Sequence, residues 1–125
     1  MHPFVVNGET KTMVMDNICH LLQNFIRCSA FDNIIFCWVM HEQAIIDDIL
    51  SRLDSSNCAV QCVSLVCSGE ALTRRLQKDI EVGLRASDVI ERSLVRLPLY
   101  ECLNTVKINV SNISPRDAAE IISRL

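Results

Sequence analysis

A chain of 125 residues is long enough for one domain with a core of its own. Half of the residues are hydrophobic, 22% are charged and the net charge is −3, which excludes a general affinity for nucleic acid. The longest apolar run, Ile34–Met40, is strand-sized and far short of the ~20 residues that cross a bilayer, so no membrane partner is expected.

The start, Met1-His2-Pro3, has no basic stretch leading into an apolar core and does not read as a signal peptide. Residues Lys11 to Arg27 read as a helix, because Val14, Ile18, Leu21, Leu22, Phe25 and Ile26 recur at helical spacing. Asn33 to Met40 is a continuous β-branched and aromatic run, which predicts a strand covered on both faces, as in a parallel sheet. Glu42 to Leu53 follows as an amphipathic helix, with Ile45, Ile46, Ile49, Leu50 and Leu53 inward and Asp47-Asp48 on a solvated face. Ala59 to Cys67 is a second predicted strand. Ser68 caps the helix after it and Gly83 ends that helix. Ser87 or Asp88 begins the next helix, with Asp88 and Glu91 spaced as a capping box, and Pro98 ends or kinks it near Tyr100. Thr105 to Val110 alternates apolar and polar residues, which predicts an edge strand. Ser114-Pro115 caps and opens a final helix. Strands and helices in this order make an α/β pattern with right-handed crossovers.

Seven cysteines are an odd number at irregular spacings, and no CxxC pair occurs, so no metal site is expected. Cysteine acting as a small buried hydrophobe is the expectation, and reduced thiols point to a cytoplasmic location.

Leu72 to Tyr100 holds six of the 12 basic residues of the chain. Arg92 and Arg96 are four apart, so a helix places them on one face, where like charges repel and an anion relieves the repulsion. Planar guanidinium groups suit phosphate oxygens. A solvated helix with its own ion pairs, Glu70 with Arg74 and Arg75 with Asp79, is the competing reading. His41 and Glu42 are the only adjacent acid/base-capable residues at a predicted strand end. They can contact a substrate or move a proton. Alternatively, His41 caps the helix and Glu42 favours its first turn.

The run Arg85-Ala86-Ser87-Asp88, then Glu91, then Arg96-Leu97-x-x-Tyr100, resembles the lid of adenylate-kinase-like phosphotransferases. Leu72-Thr73-x-Arg75-Leu76 resembles the start of the first lid helix, and Thr105–Val110 with Ser114-Pro115 resembles the last strand and helix of that fold. Phe36-Cys37-Trp38-Val39 is similar to a strand in small bacterial P-loop kinase-like proteins related to nucleotide and shikimate kinases. The resemblance implies one incomplete domain over residues 1–125, with a lid at about 72–100. The implied fold is a three-layer P-loop-kinase-like parallel sheet with flanking helices, lacking the first strands.

The loop GxxxxGK[ST], whose backbone N–H groups cradle phosphate, is absent. Its nearest counterpart, Val5-Val6-Asn7-Gly8-Glu9-Thr10-Lys11-Thr12, reads as a turn and helix start. By resemblance, Arg85, Arg92 and Arg96 clamp the transferred phosphates, Arg75, Asn112 and Ser114 contact nucleotide, and His41 and Glu42 contact substrate. ATP and magnesium belong to a complete homologue. In this chain neither is expected to bind tightly, and Cys37 and Trp38 stand where such kinases carry an Asp that orders magnesium water. A weakly held nucleotide or small phosphorylated ligand is one expected partner. Self-association through uncovered strand edges is another. The alternative function is a non-catalytic remnant that serves as an interaction or oligomerisation module.

Overall fold

The computed structural model describes residues 4–125, and Met1-His2-Pro3 of the signal-peptide reading lies outside them. The chain divides into two compact units. One takes in the chain up to Met40 together with Ala44–Val60, and the other takes in His41–Gln43 and Gln61–Leu125.

In the first unit, Asn7 fixes the start of the first helix. Asn7 Oδ1 accepts the Thr10 N–H at 2.9 Å, and the Thr10 hydroxyl oxygen accepts the Asn7 N–H at 2.9 Å, a reciprocal cap. Helix α1 then runs Gly8–Arg27. The segment weighed against a phosphate loop is therefore the first turn of this helix, with the Thr12 hydroxyl bonded back to Gly8 O at 2.9 Å. Helix α2 runs Gln43–Ser51, shorter at both ends than its sequence pattern predicts. Cys19, Ile46 and Ile49 are buried. Arg52 ties the two helices, pairing with Asp16 and with Asp48 at 2.9 Å each. Both carboxylates hold its guanidinium charged, the hydrogen bond to Asp48 most strongly. Gln23 adds a second tie by accepting the Asp54 N–H at 2.7 Å.

The predicted strand over Asn33–Met40 does not form; the segment has no regular secondary structure and Ile35 is 91% exposed. The physical reason is the lack of a neighbour. A strand is held by a ladder to another strand, and among the described residues no hydrogen bond reaches the backbone of this segment.

In the second unit, strand β1 is Val63–Val66 and strand β2 is Val106–Asn109. They pair in parallel, Val63 opposite Val106 and Val66 opposite Asn109, and this two-stranded ladder is the whole sheet among the described residues. Mixed helix and a small parallel sheet are thus the observed architecture, an α/β arrangement in outline. β1 covers less than half of the predicted Ala59–Cys67, because β2 offers only four residues to pair with. Each strand has one neighbour, so both are edges, and Leu65 and Val106 stay largely exposed while Ser64, Val66 and Ile108 turn inward. Ser64 is buried at little cost because its hydroxyl bonds that of Thr105 at 2.6 Å.

Ser68 caps helix α3, Gly69–Glu81, by accepting the Ala71 N–H at 3.1 Å. Gly83 ends it at φ +77°, with its N–H on Ile80 O and the Leu84 N–H on Asp79 O at 2.8 Å. Those two bonds define a Schellman turn, which needs a left-handed residue where Gly83 stands. Helix α4, Val89–Arg96, follows and passes into a 3-10 helix, Leu97–Cys102, where Pro98 removes the next helical N–H. The predicted Asp88–Glu91 capping box is absent, because the Asp88 carboxylate turns to Arg92 instead. Helix α5, Pro115–Ser123, starts as predicted, with Ser114 and Asp117 forming a capping box. The core is thin: Ala71, Leu76, Val89, Leu103, Ile108 and Ala118 are buried in this unit, and no large side chain of the described residues is fully enclosed.

Two backbone devices therefore carry measurable stability. Ser68→Ala removes the α3 cap and is expected to cost about 1 kcal/mol in urea unfolding. Gly83→Ala forces a Cβ into the left-handed region and is expected to cost about 1–2 kcal/mol, although the space beside Gly83 is open.

Candidate functional site

Ligands of open α/β sheets bind beyond the carboxyl ends of the strands. Here those ends are Val66 and Asn109, and the loops after them are bonded to each other. The Ser68 N–H donates to Ser111 Oγ at 2.8 Å, and the Ser111 N–H donates to Asn109 Oδ1 at 3.0 Å. Arg75, on α3, reaches over and donates from Nη2 to Val110 O and to Ser111 O. The predicted Arg75–Asp79 pair does not form, nor does Glu70–Arg74. Arg75 is spent on backbone carbonyls, and the Asp79 carboxylate goes elsewhere.

The Asp79 carboxylate goes to Arg85, Nε to Oδ2 at 3.0 Å. The two are six apart, outside helical spacing, and only the reversal at Gly83 lets them meet. Arg92 pairs with Asp88 at 3.1 Å. Two of the three lid-like arginines therefore carry carboxylate partners in the absence of any ligand. Arg96 makes no ion pair among the described residues. It lies one turn from both Arg92 and Tyr100. Burial pushes the Tyr100 phenol above its ordinary range, and the nearby Arg96 charge works against that rise. The hollow between α3 and α4, about 620 Å³, is lined by Gly69, Glu70, Thr73, Arg74, Gln77 and Leu94, so Arg74 and not the lid-like arginines borders it.

Ser114 and Asn112 sit on the loop after β2. Ser114 is committed to the α5 cap, donating from N–H and Oγ to Asp117 Oδ2 at 3.0 and 2.7 Å. Asn112 is exposed. His41 Nε2 lies 3.3 Å from Glu42 Oε1, while His41 Nδ1 is buried with no hydrogen-bond partner among the described residues. The pair does not stand at a strand end, because the strand expected before it is absent. No group of three or more His, Cys, Asp or Glu that could hold a metal occurs among the described residues.

Sequence reasoning missed Ser111 and Asp79 as the partners that order this region. Ser111 gives no pattern of its own. Asp79 was legible only by combining the turn at Gly83 with the distance it closes. Neither the protein-family models, nor the curated proteins, nor the solved structures contain a match to this chain.

The Asp117 carboxyl is held below its ordinary range, first by the Ser114 hydroxyl and then by the Ser114 N–H. A depressed folded pKa means that the cap stabilises above the unfolded value of about 3.9 and is lost as pH falls through the folded value. Ser114→Ala removes the hydroxyl donor. The Asp117 midpoint, followed by carboxyl-carbon NMR, is expected to rise towards that unfolded value.

Proposed function

We propose that the second unit binds a phosphate-bearing ligand, a nucleotide or small phosphorylated molecule, through the arginines of the lid-like segment. The reading rests on one observation: Arg92 and Arg96 stand one helical turn apart on α4, and Arg96 has no ion-pair partner among the described residues. An anion between them replaces a repulsion with shared attraction. Charge-assisted hydrogen bonds gain about 1.5–3 kcal/mol each before screening. The exposed Arg92–Asp88 and Arg85–Asp79 pairs that would open are each worth only about 0–1 kcal/mol. The balance favours the anion at low salt and shrinks as salt rises.

In this reading Arg96 meets the anion first, and Arg92 turns from Asp88 to join it. Arg85, released by Asp79, would close the clamp. Arg75 positions the loop after β2 and does not touch the ligand. Within a complete domain of the resembled kinase family, such a clamp would steady the phosphoryl group in transfer. This chain carries no phosphate cradle, so the proposal for the chain itself is binding without turnover.

A second reading, a non-catalytic interaction module, draws support from the same ion pairs. Asp79 and Asp88 already neutralise two of the arginines, as a solvated helix face would.

Titration with ATP and with pyrophosphate separates them. Weak, salt-sensitive binding with backbone NMR shifts centred on Arg85–Tyr100, lost in the Arg92→Ala/Arg96→Ala double variant, supports the clamp. Equal binding by the double variant, or shifts elsewhere, leaves the module. Release of phosphate from ATP is expected to stay at the level of buffer. Turnover abolished by Lys11→Ala would assign a phosphate role to the first turn of α1 and overturn the binding-only reading.

A further inference from the structure

Asn33–Met40 combines three properties that fit one occupant. Its backbone makes no hydrogen bond among the described residues. It contains no charged residue. Its exposure alternates along the chain, with Ile34, Phe36 and Trp38 at 38, 36 and 43% and Ile35 and Val39 at 91 and 56%. Alternation of this kind belongs to an extended segment with one face partly covered and the other bare. The start of the segment, Ile34, Ile35 and Phe36, borders an apolar groove of about 320 Å³ that Ile18, Leu22 and Phe25 of α1 also line.

We propose that this segment pairs, antiparallel, with the same segment of a second copy of the chain. A twofold axis perpendicular to the new ladder returns each strand to the other with the same face up. In the register that puts Cys37 opposite Cys37 of the second copy, Phe36 faces Trp38, Ile35 faces Val39 and Ile34 faces Met40. Every central pair is apolar, and aromatic or β-branched partners are the kind that stabilise cross-strand contacts. The absence of charge lets identical segments meet without repulsion. A contact that closes on its own axis gives a dimer rather than an open fibre.

The exposed surface is sufficient. With side chains of about 150–250 Å², the exposed parts of Leu21, Phe25, Phe31, Phe36, Trp38 and their aliphatic neighbours present roughly 700 Å² per copy, close to the ~800 Å² each partner buries in a standard specific interface. A bare apolar patch above a few hundred Å² is unusual on a monomer. The proposal does not depend on anion binding by the other unit.

Trp38 is the single tryptophan, so its emission reports this surface alone. The full chain is diluted from ~100 to ~1 μM, the range in which exposed edges associate, and followed by emission and by sedimentation. A dimer at the upper end, with Trp38 emission moving to shorter wavelength as it forms, is expected. Ile35→Lys and, separately, Val39→Lys place a charge in the ladder and are expected to leave a monomer with red-shifted emission. Both side chains are mostly exposed in the single copy, so far-UV circular dichroism is expected to stay unchanged. A parent that remains monomeric at ~100 μM overturns the proposal, as do lysine variants that dimerise like the parent. Open-ended aggregates in place of a dimer overturn it too. So does a shift of emission caused by phosphatidylcholine vesicles and not by protein concentration, which would assign the face to lipid.

Discussion

Everything in the second unit hangs on the four-residue parallel ladder between Val63–Val66 and Val106–Asn109. Parallel strands need a long connection, and here that connection carries α3, α4 and the 3-10 helix. Ser68, Gly83 and Pro98 set where these elements begin and end, and Val66 and Ile108 are the buried side chains of the ladder itself. Its loops are then locked to each other through Ser68, Ser111 and Arg75. Without the ladder, α3, α4 and the 3-10 helix would have only each other to pack on, and helices of that length are marginal in water on their own.

The same economy shapes the arginines. A chain with few buried residues spends its cations on structure: Arg75 on carbonyls, Arg52 on two carboxylates, Arg85 on Asp79. Of the three arginines at the lid-like positions, Arg96 is the one that makes no ion pair among the described residues. An arginine-rich stretch is thus not one functional unit. Its members differ in how much they must give up before they can bind anything.

Local chemistry made much of the fold readable. Ser68 and Ser114 cap helices because their side-chain oxygens meet free N–H groups a few residues ahead, a relation contained in the sequence itself, whereas the first helix starts at Gly8 behind an Asn7 cap, three residues before the expected Lys11. Gly83 was readable because the residue that ends a helix in the left-handed conformation is most often glycine. The strand over Asn33–Met40 was not, because β-branched and aromatic composition says what suits a sheet and not whether a neighbour is present. At the site, four-residue spacing permits the Arg92–Asp88 pair, yet the sequence pattern assigns Asp88 to a helix cap that does not form. The Arg75–carbonyl and Arg85–Asp79 contacts depend on how distant backbone folds back, which spacing alone does not reveal.

Helix α3 is fastened to the sheet at one end only. Its cap residue Ser68 and, two turns on, Arg75 both bond the loop after β2, whereas its far end runs into the Gly83 turn with Val82 and Leu84 mostly exposed. Local opening follows the density of such ties. The amides near Ala71 and Leu76 therefore open together with the sheet, while those beyond Asp79 open on their own. At that far end the Asp79–Arg85 ion pair, which spans the turn, is a tie that does not involve the sheet.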